Sequence, residues 1–256
     1  MPELDIKLLI GLKPEEIIQW YKNKGYKFSW NWREVWKEAH SKAFTVAKAM
    51  KLDILQDIRN EIEKAIKEGI TFQQFQENIK PILKAKGWWG KVKAKDVPSD
   101  FPLPPNIDPE KEVQLGSPWR LKTIYRTNIN VAYSIGHYKN MIDNINERPY
   151  WMYNAVLDSR TRPSHRALHG KIFRADDPIW NKIYPPNGWN CRCTVIPLDD
   201  NDIKEMGIKL EKSTQLPKSF KIDDGWDYNP GKVEYQPDIS KWDNDLRQIY
   251  KKDVIT

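Results

Sequence analysis

The amino-acid sequence predicts an α+β protein, with a helical N-terminal half packed beside a small, turn-rich C-terminal domain that contains β-strands. Up to about Ile145, apolar residues mostly recur at the spacing of amphipathic helices. From Pro149 onward they fall instead in short β-branched or aromatic runs separated by turns. A Pro-rich stretch, VPSDFPLPPNIDPEKE, interrupts the helical part and marks the clearest segment boundary.

These patterns divide the chain into four segments. We expect a helical N-terminal region over residues 1–96 and a Pro-rich linker over residues 97–116. The core domain is expected over residues 117–200, and a C-terminal extension over residues 201–256. A chain of 256 residues is long enough to bury a core of its own.

The N-terminal region is predicted to consist of amphipathic helices. A short helix begins near Pro14, and a second spans REVWKEAHSKAFTVAKAM. The stretch DILQDIRNEIEKAIKEG carries an apolar stripe and ends at Gly69. Thr71 and Gln74 form a capping-box pattern that begins the next helix, which Pro81 is expected to kink.

The stretch KPILKAKGWWGKVKAK holds six lysines and no acid around Trp88 and Trp89. Basic residues between aromatic ones could hold a nucleic-acid backbone and stack bases. Alternatively, it is a solvated turn whose two tryptophans anchor it to the core, and we favour this interpretation.

Ser117 and Pro118 form an N-cap and first-turn pair that begins a long helix, WRLKTIYRTNINVAYSIGHYKNMIDNI. Polar residues cluster in the middle of this helix, where they could bond a neighbouring loop: Arg126, Thr127, Asn128 and Asn130. After it, YWMYNAVLD, KIFRA and CTVIPL are predicted to form a small sheet. A short helix should follow Leu198.

Composition excludes several classes of protein. The chain is 39% hydrophobic and 30% charged, which is typical of a soluble globular protein. No window is apolar enough to span a bilayer, and the N-terminus lacks a signal-peptide pattern, so we expect a cytoplasmic product without membrane contact. Two cysteines spaced as C-R-C exclude a secreted disulfide scaffold. The net charge of +7 permits contact with nucleic acid but is weak evidence for it.

The stretch from His165 to Val195 concentrates metal-binding residue types. His165 and His169 are four residues apart and would share one face of a helix. Cys191 and Cys193 are two apart, so on a strand both sulfurs would point the same way. Thiolate and imidazole together suit tetrahedral Zn²⁺, although the spacing is not that of a standard zinc finger.

Two alternatives compete with the metal. A catalytic site would use a Cys nucleophile, a His base and Asp158 or Asp176 as orienter, but the second cysteine and the lack of an oxyanion-hole glycine pattern disfavour it. A structural interpretation makes the cysteines small buried hydrophobes. In that case a buried salt-bridge and turn network would comprise Asp158, Arg160, Thr161 and Arg192. PPNGWNCRC would then be a rigid turn set by Asn187-Gly188.

A family resemblance is carried by RPYWMYNAVLDSRTRPSHRALHGKIFRADDPIW and YPPNGWNCRC. These stretches resemble the head morphogenesis domain of the phage Mu F-like minor head proteins, whose core is similar to D-x-R-T-x-x-x-H/C-x-x-L-x-G followed by P-P-x-x-x-N-C-R-C. The matching positions here are Asp158, Arg160, Thr161, His165, Leu168, Gly170, Pro185, Pro186, Asn190, Cys191, Arg192 and Cys193. The likeness covers roughly residues 30–232.

The resemblance also bears on the metal hypothesis. Related proteins often carry Cys where this chain has Arg162, and His where it has Gly188. The strong ligand types that remain are His165, Cys191 and Cys193. A fourth zinc ligand would therefore be Asp158, His169 or water.

Functionally, the resemblance implies a head morphogenesis protein of a tailed phage or prophage, and not an enzyme. It implies a location in the capsid interior or at the portal vertex of the virion, after assembly in the host cytoplasm. The partners implied are the portal, scaffold or major capsid protein, with possible nonspecific contact to double-stranded DNA. The alternatives are a virion-carried Cys/His enzyme or effector, and a DNA-binding module.

Overall fold

The fold is α+β, as the sequence predicts, and the computed structural model describes it over most of the chain. The described residues are 18, 20–22, 24–27, 29–30, 43–49, 51–97, 103–207, 210–211 and 221–232. Within them, helices build one hydrophobic core and a three-stranded antiparallel sheet builds a second. None of the described helices has the length and apolarity that crossing a membrane requires.

Two amphipathic helices form the first core. Helix α1 spans Leu52–Glu68 and ends at Gly69, whose left-handed φ of 67° caps it. Helix α2 spans Phe72–Ala85 and begins with the predicted capping box. The Thr71 hydroxyl accepts from the Gln74 N–H, and the Gln74 side chain accepts from the Thr71 N–H. Helix α2 continues through Pro81 as one element.

The helix predicted over residues 33–50 is wrong where the structure describes it. Ala43–Phe44 forms strand β2, which pairs in parallel with strand β1, Gly25–Tyr26. Phe44 and Val46 are both buried, so the buried side chains alternate as in extended chain. Burial of Phe44 against Tyr21 outweighs a helical spacing that short apolar runs also satisfy by chance. Residues 33–42 lie outside the described residues. The helix predicted near Pro14 is helical at its described residues, 18 and 20–22, and its start lies outside them.

Part of the Pro-rich segment contributes to the first core. Strand β4, Glu112–Gln114, pairs in antiparallel register with strand β3, Lys91–Lys93, which a single 3-10 turn at Ala94–Asp96 follows. Val113 and Leu115 are buried against the helices. This stretch therefore packs on the helical region through side chains as well as backbone pairing.

The long helix α3 spans Pro118–Asp143 and serves both cores. The Ser117 hydroxyl accepts from the Arg120 N–H, as the N-cap pattern predicts. Near its start, Leu121 lies in the first core. Near its end, Tyr138 and Met141 lie in the second. The helix is therefore a shared wall and not a one-sided amphipathic surface element.

The predicted small sheet is confirmed. Its strands are β5, Tyr150–Asn154, β6, Ile172–Arg174, and β7, Thr194–Leu198, in the order β6-β5-β7 with antiparallel neighbours. Three short helices follow the strands: α4, Pro163–Leu168, α5, Trp180–Ile183, and α6, Asp200–Met206. Aromatic side chains fill the space between the sheet and α3, with Trp151 at the centre.

A downstream segment closes the second half of the molecule. Residues 221–232 end in a 3-10 turn at Pro230–Lys232 that packs on α3. Trp226 and Tyr228 are buried there. A Cβ on Gly231 would lie 2.3 Å from the Tyr138 ring, so only glycine permits this approach.

Candidate metal centre

Two short segments bring His165, Cys191 and Cys193 together. His165 lies on α4, where it and Leu168, three residues later, are both buried. Cys191 and Cys193 lie in the segment that leads into β7, and not in the strand itself as the sequence predicted. The sheet thus fixes the cysteine segment, and α4 presents the histidine to it.

The geometry of the cluster matches that of a tetrahedral metal site. Nδ1 of His165 lies 3.7 Å from Sγ of Cys191 and 3.5 Å from Sγ of Cys193. The three ligand atoms all lie within 4.8 Å of one another. Zinc with one nitrogen and two sulfur ligands at their usual bond lengths has ligand-to-ligand edges of about 3.6 Å. A cation would therefore fit between these atoms with little rearrangement.

Burial and hydrogen bonding set the charge of the two thiols. The exposed fractions are 2% for His165, 4% for Cys191 and 8% for Cys193. Hydrogen bonding with Cys193, and then with His165 and the Asn187 N–H, lowers the pKa of the Cys191 thiol well below its usual value although burial opposes this. The contact with Cys191, together with burial, raises the pKa of the Cys193 thiol. The cluster thus favours one thiolate, the form that binds metal.

The imidazole of His165 faces the two sulfurs through only one of its two ring nitrogens. Its Nδ1 faces the two sulfurs, while its buried Nε2 has no hydrogen-bond partner in the part of the chain that the structure describes. A buried polar ring without full hydrogen bonding is costly. A cation bound at Nδ1 would leave Nε2 as an unpaired N–H donor, so this cost is separate from the metal hypothesis.

The two other predicted ligands are engaged elsewhere. Asp158 accepts from both terminal nitrogens of Arg192, at 2.7 and 2.6 Å. His169 follows the last residue of α4 in a non-helical conformation, so it does not share a helix face with His165. Its ring is exposed, and Nδ1 accepts from the Ala155 N–H at 3.1 Å. Neither residue belongs to the group of atoms that could hold a metal.

Asp158 organises the loop that precedes α4. Its carboxylate accepts from the backbone N–H of Arg160 at 3.0 Å and from the Thr161 hydroxyl at 3.2 Å, besides the contacts with Arg192. The guanidinium of Arg192 holds the pKa of Asp158 well below its usual range. The network is only partly buried, since the Asp158 and Arg192 side chains are 28% and 25% exposed. The sequence analysis had placed this network in the interior.

The turn before Cys191 is shifted relative to the sequence prediction. The Cys191 N–H donates to the Gly188 carbonyl, so the turn is centred on Trp189 and Asn190 and not on Asn187-Gly188. Asn190 has a left-handed φ of 57°, which asparagine tolerates better than most residues. Two other motif residues, Pro185 and Pro186, are joined by a cis peptide bond. Gly170, two residues after the end of α4, has a left-handed φ of 76°.

Asn187, which the sequence analysis expected only to set a turn, is a buried residue that supports the cysteine cluster. It is fully buried, and its side-chain oxygen accepts from the Tyr153 hydroxyl at 2.8 Å. Its side-chain nitrogen donates to the Tyr184 carbonyl, and its backbone N–H donates to Cys191. The signal available in the sequence was an asparagine beside a Pro-Pro pair, which also fits an ordinary surface turn.

Two further contacts fix the cysteine turn from outside. The Asn130 side chain, from the polar patch of α3, donates to the Cys191 carbonyl at 2.8 Å. Arg162 donates to the Trp189 carbonyl and pairs with Asp223 at 3.0 Å. A Cβ at Gly188 would lie 2.4 Å from the Asp223 carboxylate. Residues 221–232 thus pack on the cysteine turn at Gly188, where the absence of a side chain leaves room for Asp223.

The structure brings the cysteines and the histidine of the catalytic alternative together, but neither proposed orienting acid joins them among the described residues. Of the two candidate orienting acids, Asp158 binds Arg192, and Asp176 pairs with Arg174 at 3.0 Å. The thiols are buried, so substrate access would require the turn to open.

The ion pairs of the lysine-rich stretch also disfavour its interpretation as a nucleic-acid site. Glu112 pairs with Lys91, while Glu110 pairs with both Lys93 and Lys95. The acids of β4 and of the chain before it therefore partly neutralise the basic strand.

The two tryptophans of this stretch face the protein. Trp88 is buried, and its indole N–H donates to the Lys48 carbonyl at 2.8 Å. Trp89 is partly buried, with the Lys80 ammonium 5.7 Å from its ring centre. This favours the interpretation of the stretch as a core-anchored turn.

Fold and site together define an α+β chain whose chemically distinctive side chains are held inside turns at one end of a small antiparallel sheet. The chain belongs to the family described as Phage Mu protein F like protein, whose model matches residues 56–196. The resemblance noted in the sequence is thereby confirmed.

Individual relatives agree with this assignment. Protein F of Escherichia phage Mu, which is named as a capsid assembly protein, is 40% identical over 246 residues, or 95% of this chain and 54% of its own length. The Mu-like prophage FluMu F protein of Haemophilus influenzae is 40% identical over 83% of this chain and 55% of its own length. The chain thus spans about half the length of these two relatives.

A third relative matches a shorter stretch. An uncharacterized protein of Methanocaldococcus jannaschii is 45% identical over 58 residues, which is 21% of this chain and 9% of that protein. No solved structure matches the chain significantly.

Proposed function

We propose that this chain is a structural component in the assembly of a phage head, and not an enzyme. The observation that carries the proposal is the 40% identity, over 95% of the chain, with the phage Mu protein named for capsid assembly. The site supports it, because the distinctive side chains are buried and bonded to one another in turns that fix shape. A catalytic nucleophile would need access to substrate.

The proposed setting follows from this role. The chain would act on the inner side of the capsid or at the portal vertex, after assembly in the host cytoplasm. Its partners would be other head proteins, namely the portal, scaffold or major capsid protein. Any contact with packaged DNA would be nonspecific and carried by the net charge of +7.

We propose further that His165, Cys191 and Cys193 hold a structural Zn²⁺. The metal would supply a cross-link between α4 and the segment before β7, in addition to the hydrogen bonds and the packing of both cysteines in the second core. Asp158 and His169 have other partners, so the fourth ligand in this proposal is water.

Metal analysis of the purified chain, prepared without a metal-binding tag, tests the zinc site. We expect about one zinc per chain, and loss of zinc in His165→Gln and Cys191→Ser. His169→Gln is the matched control, because it removes an exposed imidazole outside the cluster and should keep the metal. Zinc-free wild-type protein, or equal zinc in all variants, would reject the site.

A deletion in the phage or prophage that encodes the chain tests the assembly role. We expect few or no DNA-filled heads without the chain, and rescue by the wild type. A plasmid-borne His165→Ala, Cys191→Ser double variant should rescue poorly. Normal infectious heads from the deletion would contradict the role. Normal heads that fail only after infection would favour the alternative of a virion-carried effector.

A further inference from the structure

The loop between β5 and α4 presents two apolar side chains to solvent. Val156 is 39% exposed and Leu157 is 54% exposed, although they directly follow the buried Ala155. We call residues 155–162 the docking loop. Adjacent aliphatic side chains at one exposed site are costly in water and often belong to an interface.

Hydrogen bonds hold the docking loop at its start and at its centre. At its start, the Ala155 N–H donates to His169, and the Val156 carbonyl accepts from both the Asp158 N–H and the Thr161 hydroxyl. At its centre, Asp158 is bound to Arg192, which stands between the two cysteines of the candidate metal centre.

Helix α4 completes this support. The Arg166 guanidinium donates to the Asp158 carbonyl at 2.6 Å, and His165 joins the cysteine cluster one residue earlier. Since the loop is already ordered, a partner that binds it incurs little entropy cost for fixing its conformation. A surface loop that is both apolar and rigid is suited to recognition.

Positive charge surrounds the two apolar side chains. Arg160 is 58% exposed and shares the Asp158 carboxylate with Arg192. Arg166 is exposed, and its guanidinium donates to a backbone carbonyl, which neutralises no charge. Four guanidinium groups, those of Arg160, Arg162, Arg166 and Arg192, thus lie around the loop beside two carboxylates, those of Asp158 and Asp223.

We propose that the docking loop binds an acidic segment of another head protein that also carries an aliphatic side chain. The partner's apolar residue would cover Val156 and Leu157, and its carboxylates would pair with Arg160 and Arg166. Duplex DNA fits less well, because phosphates would satisfy the arginines but leave the two aliphatic side chains in water. This inference rests on the proposed role in head assembly.

Site-specific photocrosslinking in assembling phage identifies the occupant. A benzophenone amino acid at Leu157 of the full chain should crosslink, in purified proheads, to a head-protein peptide with net negative charge and an aliphatic residue. The same probe at Met206, which is 44% exposed at the end of α6, is the control and should not give that product. A crosslink to DNA, to a second copy of this chain or to a basic peptide, or no crosslink specific to position 157, would overturn the proposal.

Two charge variants separate the docking loop from the assembly role itself. Leu157→Asp and Arg160→Glu should each lower incorporation of the chain into proheads by about tenfold, as expected when one anchor of an interface is removed. Leu157→Asp should match the wild type in melting temperature and zinc content, because the Leu157 side chain is not part of the core. Arg160→Glu also breaks the ion pair with Asp158, so its incorporation is compared with that of Arg160→Gln, which removes the positive charge without repelling Asp158. Wild-type incorporation of both variants would reject the docking loop while leaving the assembly role intact. Absence of the wild-type chain from proheads would reject both.

Discussion

Asp158 joins the loop after β5 to the turn before β7, because its carboxylate binds Arg192 as well as the Arg160 N–H. The sequence predicts a buried network of these residues, and the structure shows the interaction at a partly exposed site. Exposure depends on the chain around the motif, and here the carboxylate lies near the surface. The contribution of Asp158 to the free energy of unfolding is therefore expected to depend on pH, because it comes from a charged carboxylate and not from burial of the side chain.

Asp158→Asn should lower the melting temperature at neutral pH. The folded-state pKa of Asp158 is depressed, so its contribution to stability is present above the unfolded-state pKa of about 4 and is lost as pH falls through the folded value. Calorimetry at pH 7 and pH 2 should therefore show a difference from the wild type that shrinks on acidification. The control, Asp176→Asn, removes a more exposed carboxylate and should have little effect. A difference that grows with acid would contradict the assignment.

Asn187→Ala should destabilise the chain by about 1–3 kcal/mol, since it leaves the buried Tyr153 hydroxyl without its acceptor. Urea denaturation measures the change. Asn181→Ala removes an exposed side chain whose contact is with Lys232, and it should change the free energy of unfolding by less than about 0.5 kcal/mol. Equal losses in the two variants would show that the buried amide has no special role.

At the scale of elements, the spacing of apolar residues and the capping residues were enough to predict three helices. Helices α1, α2 and α3 have amphipathic stripes together with caps such as Thr71 and Ser117, and the structure places them where the sequence does. Strand β2 was not predictable in this way, because Phe44 becomes extended only through contacts with residues distant in sequence. The position of the cysteine turn also escaped prediction, since Asn130 and Asp223, which fix it, come from other elements.

Thr71→Ala tests the capping of α2. The substitution removes the acceptor for the Gln74 N–H and should cost about 1 kcal/mol in the free energy of unfolding. Chemical denaturation provides the measurement, and Thr71→Ser, which keeps a hydroxyl acceptor, should retain most of the stability. The capping assignment fails if the alanine and serine variants unfold at the same denaturant concentration.

At the scale of the whole molecule, a bound metal would link the stability of the chain to metal concentration. A ligand that binds only the folded state adds about 2.7 kcal/mol at a concentration one hundred times its dissociation constant. A strong chelator should therefore lower the melting temperature of the wild type and leave Cys191→Ser unchanged. If the chelator shifts both proteins equally, the shift does not come from the His165 cluster.

DNA affinity, if present, should be a property of overall charge. We expect binding to random-sequence duplexes to weaken steeply as salt rises from 50 to 200 mM, because the affinity would come from released counterions. Replacing Lys93 and Lys95 by glutamine should weaken binding no more than the same change at two other exposed lysines, since Glu110 already pairs with both. A filter-binding titration with sequence preference, or a large effect of these two changes, would restore the lysine-rich stretch as a nucleic-acid site.

Helix α3 has one consequence for how the chain unfolds. Because its two ends are buried in different cores, loss of packing in either core leaves one end of the helix without its apolar contacts and so weakens the support that the helix gives to the other core. Melting of the two halves is therefore expected to be cooperative, with amides of α3 exchanging with solvent only through the global opening. The two described halves are therefore expected to move together, and a force applied to the sheet would be transmitted through α3 to the helical half.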